Sequence, residues 1–226
     1  MALKVCVPIM ERTVERTVNV LRQLDAHKPD LIEIRFDLMK SATKLSQIRN
    51  ATDRLLIATN RRKDEAGLFS GTEEDRLATL QQAADESFDY VDIELKTENL
   101  DKMIHRVEEN GSSVIVSYHN ERSTPSTNVL SSILAREKRT GADICKIVTT
   151  AKSYHDSLRC LEFVSIQAPR SRLVCFAMGR FGIPSRVLSP MFGAYFTFAS
   201  YASGRESAPG QLTIASMRNL YRQFQA

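Results

Sequence analysis

Lys146 raises the first chemical question in this chain. It sits in Ile144-Cys145-Lys146-Ile147-Val148, an apolar run that reads as a buried strand. Burial of an ammonium is costly, and desolvation or nearby cations lower the pKa of a lysine toward neutrality. A neutral amine can attack a carbonyl and form a Schiff base. The alternative is a structural lysine paired with a carboxylate such as Glu94. His119 closes the run Val114-Ile-Val-Ser-Tyr-His119. If a histidine base is used, His119 is the candidate, and Glu65 is one carboxylate that would orient its ring. The bland reading is a hydrogen-bonded residue at a strand end. His27, His105 and His155 fall in helical or connecting segments, where exposure is expected.

Glu33 and Arg35 are two apart and so share one face of a strand. They read either as an internal ion pair or as ligand contacts. Arg61 and Arg186 suit a carboxylate or a hydroxyl-rich ligand, because guanidinium offers a planar fork of donors. Met178 and Phe192, taken singly, read as core. Ser207-Ala-Pro-Gly-Gln211 is a turn-rich segment that by itself signals only a loop.

These residues need a scaffold that gathers positions far apart in sequence. Eight β-rich runs occur: Lys4–Ile9, Leu31–Phe36, Leu55–Thr59, Tyr90–Leu95, Ser113–Tyr118, Asp143–Val148, Leu173–Met178 and Ala194–Ala199. Several are nearly continuous in apolar residues, as parallel strands covered on both faces should be. Helical patterns lie between them. Val14, Val18, Leu21 and Leu24 recur at helical spacing, and Thr72-Glu-Glu-Asp75 supplies a cap and first-turn acids. Leu130, Ile133 and Leu134 mark another helix that ends near Gly141, and a last one runs from about Gln211 to Phe224. The alternation allows a (β/α)8 barrel or an open doubly wound sheet. Regular spacing, with no GxGxxG after any run, favours one barrel domain over residues 1–226. Barrel enzymes keep their chemistry at the C-terminal ends of the strands. Arg35, Arg61, His119, Lys146 and Met178 all fall in or near such positions.

Composition narrows the class. The net charge is +4 at pH 7, and Arg61-Arg62-Lys63 is followed at once by Asp64-Glu65. This argues against the basic stripe that nucleic-acid binding wants. Cys6, Cys145, Cys160 and Cys175 have no metal-ligand spacing, and no dinucleotide fingerprint is present, so no cofactor or metal is expected. No run approaches a membrane span, and the N-terminus does not read as a signal peptide, so a cytoplasmic setting is expected.

Five segments taken together closely resemble type I 3-dehydroquinate dehydratase, the Schiff-base form of this shikimate-pathway enzyme. They are Glu33-Ile-Arg35-Phe-Asp37, Ser117-Tyr-His119, Lys146-Ile-Val, Met178-Gly-Arg-Phe-Gly182-Ile-Pro-Ser185-Arg186 and Ser207-Ala-Pro-Gly-Gln211. The resemblance implies a cofactor-free barrel, a small-molecule substrate and a homodimer. It implies a hydro-lyase of aromatic amino acid biosynthesis in which Lys146 forms the imine, His119 moves protons and Glu65 orients His119. It further implies that Glu33, Arg35 and Arg61 hold ring hydroxyls and that Arg186 grips a carboxylate. Met178, Phe198, Ser207, Ala208 and Gln211 fall at pocket and lid positions. Two features depart from the family. Glu65-Ala66-Gly67 stands where members commonly have Glu-Gly-Gly, and Phe176 stands where many have methionine. A class I aldolase-like barrel shares the lysine, and a non-catalytic barrel binding polyhydroxy acids shares the cations.

Overall fold

In a computed structural model, which describes residues 3–225, the eight runs become eight parallel strands. They are β1 (Val5–Ile9), β2 (Leu31–Arg35), β3 (Leu55–Thr59), β4 (Tyr90–Glu94), β5 (Ser113–His119), β6 (Ile144–Thr150), β7 (Leu173–Met178) and β8 (Thr197–Phe198). The helices are α1 (Val14–Leu24), α2 (Ser46–Arg49), α3 (Glu73–Asp85), α4 (Leu100–Glu109), α5 (Thr127–Arg139), α6 (Tyr154–Gln167), α7 (Ile183–Leu188) and α8 (Ile214–Gln225). The strand order is β7-β6-β5-β4-β3-β2-β1-β8, and the result is a nearly closed, single-domain (β/α)8 barrel. At the seam between β7 and β8, the Tyr195 N–H donates to the Leu173 carbonyl at 2.8 Å.

The local signals explain the elements. Thr72 and Asp75 form a reciprocal capping box at the start of α3. The last helix begins at Ile214, later than its periodicity suggests, where Thr213 Oγ accepts the Ser216 N–H. β8 is only two residues long, against the six of its apolar run: the Ala194 N–H donates back to the Ser189 carbonyl and the Tyr195 N–H crosses the seam to Leu173, so the chain joins β1 only from Thr197. Strand alternation then sorts the side chains. One apolar set, including Val7, Ile34, Val91, Val116, Ile147 and Cys175, packs against the helices. The other, including Cys6, Leu31, Ile57, Tyr90, Ile115, Ile144, Val174 and Phe196, fills the barrel interior. All four cysteines are buried and free. Phe192 corrects the core expectation: it is 44% exposed, on the turn after α7.

Glu137 on α5 is fully buried, and neither carboxylate oxygen has a hydrogen-bond partner among the described residues. Burial, followed by the fields of Asp92 and Glu65, pushes its carboxyl well above the usual range, so it stays protonated at neutral pH. Below the unfolded pKa both states carry the proton and nothing is lost. Above it the unfolded chain ionises while the fold does not, so folding is increasingly penalised. Glu137→Met should therefore gain on the parent by about 1.4 kcal/mol per pH unit above about pH 4.3, until the folded group ionises. Urea unfolding of both proteins at pH 5 and pH 7.5 measures this. Parallel stabilities at the two pH values would contradict it.

Candidate active site

Successive inward positions of the strands carry the functional side chains. On β2 the inward phase is Leu31, Glu33, Arg35, and on β4 it is Tyr90, Asp92, Glu94. On β5 it runs to Ser117 and His119, and on β6 to Lys146, Val148 and Thr150. The apolar residues close the floor, and the polar ones begin one step above it. A cavity of about 280 Å³ opens over them, lined by Glu33, Arg35, Arg61, Glu65, His119 and Lys146 on one side. Phe176, Met178, Arg186, Phe198, Ser207 and Ala208 line the rest.

Lys146 is buried, and its Nζ donates to Asp92 Oδ2 at 2.8 Å and Glu33 Oε1 at 3.3 Å. Its partners are therefore Asp92 and Glu33, not Glu94. Glu94 is taken up elsewhere, by Arg61 at 3.1 Å and by Arg76 at 2.6 Å. Nζ also lies 4.6 Å from the centre of the Phe198 ring. Asp92 was not foreseen as a site residue, although its two-residue spacing from Glu94 put it on the inner face. It accepts from Ser117 Oγ at 2.6 Å and pairs with Arg61 at 2.8 Å. Burial alone would raise its pKa, but Arg61 and Lys146 outweigh burial and hold Asp92 ionised far below the usual range.

His119 lies against Glu65. Its Nδ1 lies 3.1 Å from Glu65 Oε2, which also accepts the His119 backbone N–H at 3.0 Å. Burial, then Arg61 and Lys146, lower the imidazole pKa well below its ordinary value, leaving the ring neutral. Burial pushes Glu65 up to about 7, against the opposing field of Arg61. Glu65 ends a 3-10 turn, and Ala66 follows at φ 63°, a left-handed conformation that glycine adopts at less cost. Gly67 has no such freedom to vary, since a Cβ there would lie 2.0 Å from the Arg61 carbonyl.

Arg35 does not pair with Glu33. It makes a bidentate pair with Asp37, both contacts at 2.8 Å, and lies on the cavity rim. Arg61 is locked between Asp92, Glu94 and Ser117. Arg186 on α7 is different. It is 2% exposed, and its Nε and Nη2 have no partner among the described residues. Burial alone lowers its pKa to about 10, still leaving it charged at neutral pH. Its guanidinium lies 4.4 Å from the centre of the Phe176 ring, so the phenylalanine at this position gives the cation an apolar face. The arrangement leaves buried guanidinium donors available to an anion.

The loop after β8 covers the cavity with Ser207, Ala208 and Pro209. Gln211 stands behind this wall rather than in it: its Oε1 accepts from the Ser207 N–H at 2.8 Å and Oγ at 3.3 Å. The Gly179 N–H donates to the Pro209 carbonyl at 3.0 Å, which ties this loop to the one after β7. Gly210 sits at φ 80°, and a Cβ there would lie 2.6 Å from the Gly179 carbonyl, so this approach needs glycine. Arg76 escaped the sequence reading altogether. It comes from α3, where an arginine in the first helical turn looks like a surface residue, yet it is 1% exposed and bonds Glu94 and Thr97. Among the described residues, no group of three or more His, Cys, Asp or Glu is placed to hold a metal ion. No helix is long and apolar enough to cross a membrane.

The family model for type I 3-dehydroquinase matches residues 5–226. The chain belongs to the type I 3-dehydroquinase family. The 3-dehydroquinate dehydratase of Methanothermobacter thermautotrophicus is 38% identical over 224 residues, covering 97% of this chain and 96% of the relative. That of Dehalococcoides mccartyi is 37% identical over 190 residues, 84% of each chain. The crystal structure of 3-dehydroquinate dehydratase from Geobacillus kaustophilus superposes with a TM-score of 0.93 at 25% identity, covering 100% of this chain and 92% of that one. The Aquifex aeolicus structure gives 0.83 at 27% identity, covering 98% and 99%. Within the type I 3-dehydroquinase family, then, this chain keeps a barrel whose lysine, histidine and free arginine share one cavity, with Ala66 at its edge.

Proposed function

We propose that this enzyme dehydrates 3-dehydroquinate to 3-dehydroshikimate through an imine on Lys146, with His119 moving the protons. The observation that carries the reading is the buried guanidinium of Arg186, which lines the same cavity as Lys146 and His119 and has two donor nitrogens unpaired. A substrate carboxylate is the natural partner for such donors. With the carboxylate held there, the ring reaches toward the amine.

In this scheme the amine of Lys146, after losing a proton, attacks the C3 ketone, and loss of water leaves a protonated imine. The imine keeps the positive charge where the ammonium was, so Asp92 and Glu33 serve both states without rearranging. The cationic imine withdraws electrons, which makes the C2 proton acidic enough for a neutral imidazole. Glu65 accepts from Nδ1, and this leaves Nε2 of His119 as the base. The electron pair released at C2 forms an enamine, which expels the C1 hydroxyl as His119 returns the proton to it, giving water. Hydrolysis then frees the product and the lysine. Glu33, Arg35 and Arg61 contact ring hydroxyls, while Met178, Phe198, Ser207 and Ala208 wall the ring, and Gln211 acts through Ser207.

Addition of 3-dehydroquinate to the purified protein should produce the ultraviolet absorbance of a conjugated enone. Binding without that absorbance would favour the non-catalytic reading. Arg186→Ala should raise KM strongly, because it removes a charge-assisted pair worth about 2–4 kcal/mol in a dry site. Some loss of kcat should follow from misorientation. Steady-state kinetics with wild-type values for this variant would place the carboxylate elsewhere.

A further inference from the structure

The scheme leaves half of Glu65 unexplained. The residue is fully buried, yet only Oε2 is used, by the backbone and ring of His119. Oε1 has no hydrogen-bond partner among the described residues. A buried carboxylate oxygen without a donor must be compensated by charge or stay protonated. The charged and titratable groups facing it are Arg61 after β3, Glu94 on β4, Lys96 just beyond β4, His119 on β5 and Glu137 on α5. Asp64 is its neighbour in the chain. Arg61 contributes the larger lowering field but is already bound to Asp92 and Glu94; Glu94 opposes ionisation, and the protonated Glu137 adds no charge. Among the described residues, Lys96 is the cation that stands against Oε1 itself. Its Nζ lies 3.9 Å from Oε1, and Glu65 is its one carboxylate partner within 4.0 Å among the described residues. Its side chain is 49% exposed and does not line the cavity, so it has no evident contact with substrate.

We propose that Lys96 is a positioning residue for the Glu65–His119 pair: its ammonium stands against the vacant oxygen of Glu65 and keeps that carboxylate ionised. The proposal rests on the dehydratase reading above. An ionised Glu65 accepts from Nδ1–H of His119, so the lone pair is on Nε2, facing the reaction. A protonated Glu65 would donate to Nδ1 instead, which moves the ring proton to Nε2 and removes the base. Burial pushes Glu65 up to about 7, so this choice is made close to neutral pH, where one nearby cation matters.

The test compares the intact enzyme with Lys96→Met and Lys96→Arg by two readouts. The first is the ¹³C titration of the Glu65 carboxyl, assigned by its loss in Glu65→Gln. The second is the acid limb of the kcat profile. Lys96→Met should move both midpoints upward by about half a pH unit, the scale of a half-exposed charge pair, and high salt should shrink the difference. KM on the alkaline side should be that of the parent, and Lys96→Arg should restore both midpoints. A carboxyl midpoint unmoved in Lys96→Met would overturn the proposal, as would a moved midpoint with an unmoved kcat limb. Failure of the wild type to turn over 3-dehydroquinate would refute the dehydratase reading instead, and the carboxyl titration would still decide whether Lys96 governs Glu65.

Discussion

His119→Ala should lower kcat by about 10²–10⁴-fold, because in the proposed scheme one positioned imidazole handles several proton transfers in the cycle. KM should change far less, since Arg186 and the ring contacts remain. The fold should also survive. His119 sits at the open end of β5, and its loss frees Glu65, whose raised pKa already lets it take a proton near neutral pH. The variant should still form an imine with substrate, slowly, because the lysine is untouched. Steady-state and single-turnover measurements separate these outcomes. A His119→Ala enzyme within tenfold of the parent would assign the proton transfers to another group, with Glu65 or a water in its place.

Lys146→Ala carries the largest expected effect. If Lys146 carries the imine, as proposed, its loss should reduce turnover by about 10⁴-fold or more, the scale on which single members of a covalent catalytic unit act. The surrounding charges suggest that the protein will tolerate the change. Asp92 keeps Arg61 and Ser117, and Glu33 keeps Thr59 at 2.9 Å. The remaining cost is two buried carboxylates with one cation fewer, which should raise the pKa of Asp92 rather than unfold the protein. Substrate affinity, read by calorimetry, should survive in part through Arg186. Activity comparable to the parent would remove Lys146 from the mechanism.

Much of this was legible in the sequence because strands obey a period of two. Once Leu31, Tyr90 and Ile144 are taken as floor, Glu33, Asp92 and Lys146 must follow on the same inner face. The bounds of β3 and β7 were legible from their apolar runs, and the Thr72 cap from its residue type and the acids after it. Partner choice was not. Periodicity gives the face of a side chain but not its reach, so a pairing of Lys146 with Glu94 is as compatible with the sequence as the pairing with Asp92 and Glu33 that the structure makes. Likewise, of the two readings of Glu33 and Arg35, the internal ion pair gives way to Asp37, two residues on, which gives Arg35 its bidentate partner. Arg76 was invisible because an outer helix normally turns its charges to water, whereas the Asn60 carbonyl, the Glu94 carboxylate and the Thr97 hydroxyl, at and beyond the ends of β3 and β4, draw this one inward. Gln211 was placed in the lid by motif, and its support of Ser207 depends on a loop whose path no periodicity describes.

The proposed mechanism requires a covalent bond to one residue. Borohydride added during turnover reduces an imine to a stable amine, whereas a hydrogen-bonded complex gives nothing to reduce. The expected result is irreversible inactivation with a substrate-derived mass on the peptide that contains Lys146, a weaker adduct in His119→Ala and none in Lys146→Ala. Turnover without trapping under any condition, or an adduct on Lys96 with Lys146→Ala still active, would contradict it.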